Sequence, residues 1–185
     1  MPAWGWIVLA AAILAVLLIG WMVWSKRRTG RLRTAFGPEY DHTMTESGKR
    51  RAAESELTAR RKRREALDIR PLAPASRQRY LVMWRETQAR FVDAPSDAIH
   101  EADLLVLDVM RERGYPMESF DQRSAYISVD HPTVVERYRA AHAISLANDH
   151  GMASTEDLRQ GFVHYRALFE ELLSTGDAQA ERQAR

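Results

Sequence analysis

Few side chains in this 185-residue sequence have the types and spacing that metal binding or catalysis requires. Asp97, His100 and Asp103 follow one another at intervals of three residues and could offer ligands to a metal ion. On a helix, however, the two outer side chains point about 120° apart. Acidic residues are also common near a helix N-terminus, because they complement the helix dipole. The pattern therefore favours a structural role, and the sequence predicts no metal site.

A second group of polar residues falls in the two most regular helical patterns. His142 and His164 carry imidazoles that titrate near neutral pH, and Glu136 and Arg137 precede His142 on the same predicted helix. The four residues would form a ligand-binding or catalytic pocket if their side chains converged. The sequence favours the other interpretation, in which the two histidines are buried and hydrogen-bonded within a packed core.

Motifs of the common enzyme classes are absent from the sequence. It contains no Gly-rich phosphate-binding loop, no Gly-x-Ser-x-Gly turn and no His-Glu-x-x-His pair. It also has no cysteine, which excludes disulfides, thiolate metal ligands and cysteine nucleophiles. The sequence therefore predicts no cofactor and no enzymatic activity.

An uncharged stretch of 21 residues, from Trp4 to Trp24, lies near the N-terminus. As a helix it is long enough to cross the roughly 30 Å hydrocarbon layer of a bilayer. Its ends carry tryptophans, which prefer the membrane interface, and cations follow it directly. The predicted membrane-interface residues are Trp4, Trp6, Trp21, Trp24, Lys26, Arg27 and Arg28. Because cations mark the cytoplasmic side, the sequence predicts a single-pass membrane protein with its N-terminus outside and its C-terminal domain in the cytoplasm. A cleaved secretory signal is the alternative, but the basic start and the cleavage site are missing.

Charge is distributed unevenly along the chain. Residues 26–70 hold 14 Lys and Arg against 7 Asp and Glu, whereas residues 71–185 hold 13 against 18. We therefore expect the lipid bilayer as a partner, with anionic headgroups near Lys26 to Arg33, and we do not expect nucleic acid. The run Arg60, Arg61, Lys62, Arg63 and Arg64 could bind headgroups, nucleic acid or an acidic protein, although such runs usually only solvate a helix face.

The segments after the anchor favour an all-α fold. Residues 36–43 (FGPEYDHT) are typical of a turn, and residues 45–67 predict a solvated basic spacer helix. Five amphipathic helical patterns then follow, over about 75–92, 95–113, 117–127, 130–150 and 154–173. In the last pattern Ser154 and Asp157 resemble a capping box, and Phe162 and Phe169 lie on the apolar face. The predicted organisation is a transmembrane anchor (1–25), a basic linker with the spacer helix (26–70), a four- to five-helix bundle (71–173) and a disordered tail (174–185).

Six stretches resemble a family of uncharacterised bacterial single-span membrane proteins. They are residues 31–41 (RLRTAFGPEYD), 110–116 (MRERGYP), 128–132 (SVDHP), 134–142 (VVERYRAAH), 154–160 (STEDLRQ) and 164–172 (HYRALFEEL). The resemblance implies a bacterial host and an inner-membrane protein with a helical domain. It implies no activity, cofactor or site residue.

The predicted function is that of a membrane-tethered helical module that binds a protein partner on the cytoplasmic face. Its acidic surface or a groove between helices would contact the partner. One alternative is a small-ligand sensor or enzyme that uses Glu136, Arg137, His142 and His164. The other is nucleic-acid attachment through the basic run of the spacer helix.

Overall fold

The computed structural model of the chain describes residues 13, 14, 16, 17, 20, 22 and 29–183, and the side chains as far as Ser174. The described part of the chain is helical, as predicted, and contains no strand. It divides into two compact units, Met1–Thr58 and Ala59–Arg185.

The prediction of a transmembrane helix is wrong. Among the described residues, no helix combines the length and the apolar composition that a bilayer crossing requires. The predictions of a single-pass topology and of an inner-membrane location are corrected with it. The predicted membrane-interface residues lie outside the described residues: Trp4, Trp6, Trp21, Trp24, Lys26, Arg27 and Arg28.

The first unit contains helix α1 (29–36), helix α2 (Pro38–Ser47) and the start of helix α3 (Arg50–Glu65). The turn predicted over residues 36–43 is mostly helical, because Pro38 lies in the first turn of α2, where its missing N–H is not needed. The predicted continuous spacer helix is interrupted at Gly48, which has a φ of 61° and ends α2. The buried apolar side chains of the first unit are Leu32, Phe36, Tyr40, Ala53 and Leu57.

Glu54 joins three elements of the first unit. Its carboxylate accepts hydrogen bonds from the Thr29 hydroxyl at 2.8 Å, the Tyr40 hydroxyl at 3.3 Å and Arg50 Nε at 2.8 Å. Together these bonds link α1, α2 and α3. The start of α3 therefore packs against other helices, whereas a solvated spacer helix would have no such contacts.

The second unit contains five further helices, as the amphipathic patterns predicted. They are α4 (Pro74–Arg90), α5 (Pro95–Arg113), α6 (Phe120–Asp130), α7 (Val135–Asp149) and α8 (Thr155–Gln183). Helix α8 packs against both α5 and α7, and α4 packs against α5. Two boundaries differ from prediction: α7 begins at Val135 rather than near Asp130, and α8 continues through most of the predicted disordered tail.

The predicted capping box of α8 is confirmed. The Ser154 hydroxyl accepts from the Asp157 N–H at 3.2 Å, and Asp157 Oδ2 accepts from the Ser154 N–H at 2.9 Å. Each bond satisfies a backbone donor that the first helical turn leaves free. This reciprocal arrangement fixes where α8 begins.

Aromatic rings and a glycine bring α8 close to its neighbours. Trp84 of α4 stacks on Phe169 with ring centroids 4.6 Å apart and lies 5.0 Å from Phe162. A Cβ at Gly161 would lie 2.5 Å from Ile99 Cδ1 of α5 and 3.0 Å from Ile144 Cγ2 of α7. The missing side chain at position 161 therefore permits the close approach of three helices.

Residues 66–73, here called the strap, are tied to the end of α5. The Arg70 N–H donates to the Arg113 carbonyl at 2.8 Å, and Arg113 Nε donates back to the Arg70 carbonyl at 3.2 Å. Gly114 has a φ of 93°, and a Cβ there would lie 2.8 Å from the Asp68 carbonyl oxygen. The strap therefore belongs to the second compact unit, which begins at Ala59.

Candidate functional site

A surface groove of about 270 Å³ lies between α4 and α5. It is lined by four residues from each helix: Met83, Glu86, Thr87 and Arg90, and Glu101, Leu104, Leu105 and Asp108. Both sets have the spacing 0, 3, 4 and 7, which places four side chains on one helical face. Because Tyr80 and Trp84 turn the neighbouring face of α4 into the core, the groove-lining face remains at the surface.

The groove combines an apolar floor with exposed apolar walls. Leu105 and Thr87 are buried at its base, and the Thr87 hydroxyl donates to the Met83 carbonyl at 3.1 Å. Met83 is 38% exposed and Leu104 is 47% exposed. Covering such partly exposed apolar side chains with a binding partner lowers the free energy of the complex.

The charges that line the groove are mainly negative. Three carboxylates, Glu86, Glu101 and Asp108, accompany one guanidinium, that of Arg90. Arg90 forms an ion pair with Glu101 and thereby connects α4 to α5. Asp108 pairs with Arg111 on α5. The groove is therefore suited to a ligand that carries both apolar and cationic groups.

The volume of the groove lies just below the range of small-molecule pockets. Small-molecule pockets usually measure about 300–1,000 Å³ and bury most of their ligand. This groove is slightly smaller and lies on the surface between two helices. Its dimensions suit one or two large side chains of a partner helix.

A separate polar cluster lies where α5, α6, α7 and α8 meet. Arg123 Nε donates to the Tyr138 hydroxyl at 3.2 Å. The buried Tyr165 hydroxyl lies near the Asp103 carboxylate and the Ser145 hydroxyl without a well-formed hydrogen bond. Burial raises the pKa of Tyr138, and burial together with the Asp103 charge raises the pKa of Tyr165. Both phenols therefore stay protonated at neutral pH and act as neutral hydrogen-bonding groups.

The predicted polar patch is only partly brought together. The His142 ring stacks on Phe120, with centroids 3.8 Å apart, and burial lowers the pKa of His142. Burial and the positive charge of Arg137 lower the pKa of His164. Glu136 is exposed and pairs with Arg139. The structure thus associates Arg137 with His164 and gives His142 a different set of neighbours.

The two remaining candidates from the sequence are the Asp97, His100 and Asp103 pattern and the basic run of α3. Asp103 lies beside Tyr165, whereas Asp97 and His100 are exposed on α5. In the basic run, Arg64 Nε donates to both oxygens of Asp130 at 2.7 and 2.6 Å, and Arg61 pairs with Glu65 at 3.0 Å. Arg64 therefore stabilises the fold, which removes one cation from any nucleic-acid surface.

A further titratable group, His131, was missed by the sequence interpretation. Its ring is fully buried, its Nδ1 lies 3.1 Å from Glu171 Oε1, and its buried Nε2 has no hydrogen-bond partner. Burial lowers the pKa of His131, against the opposing effect of Glu171. No local pattern around position 131 indicates this burial, because the hydrogen-bond partner Glu171 lies 40 residues away in the chain.

The groove was also missed as a specific site, although the sequence contains a signal for it. The repeated 0, 3, 4, 7 spacing is visible in both helices, but nothing in either helix alone shows that the two faces meet.

No family model, curated protein or solved structure matches this chain. The resemblance to a bacterial membrane family therefore stays a prediction.

Proposed function

We propose that the second unit is a protein-interaction module and that the groove between α4 and α5 binds a helical segment of a partner protein. The observation that carries the proposal is the exposure of Met83 and Leu104 within a groove framed by carboxylates. An amphipathic helix lying in a groove between two helices is a common mode of protein recognition. The proposal assigns binding to the chain and no catalytic step.

The packing of α4 supports this assignment. Its buried face is occupied by Trp84, which stacks on α8, so the exposed Met83 belongs to a different face. Leu104 of α5 is exposed beside the buried Leu105. A partner helix laid along the groove would cover both exposed side chains and continue the helix packing of the unit.

Site-specific photocrosslinking in living cells of the native host tests the proposal with the full chain. A photoreactive amino acid replaces Leu104 in one variant and Leu146 of α7 in the control, because both leucines are 47% exposed. We expect one discrete crosslinked protein from position 104 and none from position 146. Equal crosslinking from the two positions would show that the groove has no special role.

A charge change provides the second arm of the experiment. Glu86→Lys reverses a charge in the groove, whereas Glu118→Lys makes the same change on an exposed loop. We expect Glu86→Lys to reduce the crosslink from position 104 by at least half and Glu118→Lys to leave it unchanged. An unaffected crosslink in Glu86→Lys would contradict the assignment of the groove.

A further inference from the structure

The Arg90–Glu101 ion pair connects the two walls of the groove. Both side chains are partly accessible, with 51% of Arg90 and 32% of Glu101 exposed. Exposed ion pairs contribute little net stability, so their partners exchange readily with other charged groups. In the free protein, Arg90 is therefore paired with the Glu101 carboxylate, which an incoming ligand could also contact.

Resting on the proposed function, we propose that Arg90 substitutes for a cation of the partner and that a Lys or Arg of a basic amphipathic helix replaces it at Glu101. Three carboxylates and one cation line the groove, and Arg111 pairs with Asp108, so the carboxylates exceed these two cations by one charge. A basic segment is attracted by that excess, whereas an acidic one is repelled. The ion pair is thus a self-contact that the partner must displace.

The spacing of the groove residues specifies the pattern of the partner. Glu101 and Asp108 are seven residues apart on α5, about 10.5 Å along the axis, with Leu104 and Leu105 between them. A helix that lies alongside α5 reaches both carboxylates with cations seven residues apart. Apolar residues three and four positions after the first cation would then contact the leucines. The partner motif is therefore cation, apolar, apolar, cation at positions 0, 3, 4 and 7.

Two synthetic 21-residue peptides test the inference by fluorescence anisotropy with the full chain. Both carry Leu at the apolar positions, and they differ only in having Lys or Glu at the two charged positions. We expect the Lys peptide to bind and the Glu peptide to bind at least tenfold more weakly. Raising the salt concentration should weaken binding of the Lys peptide, because salt screens charges that lie at the surface.

Variants of the ion pair test whether Arg90 competes with the peptide for Glu101. Arg90→Gln should tighten binding of the Lys peptide about two- to fivefold, since no internal cation then competes for Glu101. Glu101→Gln should weaken it. Arg166→Gln, which breaks an exposed pair with Glu170 on α8, should change nothing.

Each outcome distinguishes the two proposals. Weaker or unchanged binding in Arg90→Gln overturns the displacement by a partner cation, as does equal binding of the two peptides. If neither peptide binds but the crosslink from position 104 forms, this inference fails and the proposed function stands. If the crosslink is absent as well, both fail. A crosslink to a second copy of the chain identifies a self-association surface and also overturns the inference.

Discussion

The imidazole of His131 is fully buried, yet charged side chains from three helices lie near it. They are Arg113 of α5, Asp130 at the end of α6 and Glu171 of α8. A protonated imidazole needs a hydrogen-bond acceptor at both nitrogens, but only Nδ1 has one. Burial of the unpartnered Nε2 therefore disfavours the charged form and lowers the pKa of His131.

This lowered pKa predicts a loss of stability in mild acid. The unfolded chain binds a proton at His131 near pH 6.5, whereas the folded chain resists it, so the free energy of unfolding falls as the pH falls through 6.5. We expect His131→Gln to reduce the stability difference between pH 7.5 and 5.5 by about 1 kcal/mol. Urea unfolding at several pH values measures it.

The matched control is His100→Gln, because His100 is exposed on α5. It should retain the pH dependence of the native chain. His142 and His164 contribute to the same trend, since burial lowers the pKa of each. An unchanged pH dependence in His131→Gln would show that this imidazole is not the main source.

At the scale of elements, α4 and α8 are joined through aromatic side chains. The Trp84 ring lies within 5.0 Å of both Phe162 and Phe169, and Phe91 lies 5.0 Å from Phe162. Phe169 is 1% exposed and Phe162 is 7% exposed. Removing a ring here leaves a cavity that rigid neighbouring helices cannot fill.

Phe169→Ala should therefore lower the free energy of unfolding by about 3–5 kcal/mol. Phe91→Ala, at a half-buried position, should cost less, and it serves as the comparison. Urea unfolding followed by circular dichroism measures both. A midpoint equal to that of the native chain would contradict the packing of α4 on α8.

Helices with strong periodicity were predictable from the sequence. Tyr80, Trp84 and Thr87 lie on the buried face of α4 because their spacing follows the helical repeat. Pro38 was misinterpreted because proline occurs both after a helix and in the first turn of the next one. Asp130 looked like a helix start, but its carboxylate accepts from Arg64 and Tyr115 at the end of α6. Such tertiary bonds leave no local pattern.

At the scale of the whole molecule, composition was a poorer guide than periodicity. The uncharged stretch near the N-terminus predicted a membrane span that the described residues do not support. The acidic surplus of residues 71–185 was visible, but its concentration between Glu86 and Asp108 depends on how α4 and α5 pack. The polar patch around His142 and His164 failed to gather for the same reason, since facing side chains are set by helix order and rotation.

The boundary of the second unit gives a further prediction. A fragment of residues 71–185 lacks Arg64 and most of the strap, where Leu67 and Ile69 pack on the core. It should unfold about 10 °C below a fragment of residues 59–185, because it loses apolar burial and backbone hydrogen bonds. Calorimetry compares them. Arg70→Ala in the longer fragment keeps both backbone bonds and should melt near its parent, whereas equal melting of the two fragments would show that the strap is dispensable.

Gly114 ends α5, and its missing side chain also allows the strap to lie close to the end of that helix. The guanidinium of Arg113 is buried beneath the strap and donates to the Leu172 carbonyl at 2.7 Å. A methyl group at position 114 would lie 2.8 Å from the Asp68 carbonyl oxygen, so the strap would have to shift away from the end of α5. The lack of a side chain at position 114 thus allows the strap to pack against the end of the helix that carries a buried guanidinium.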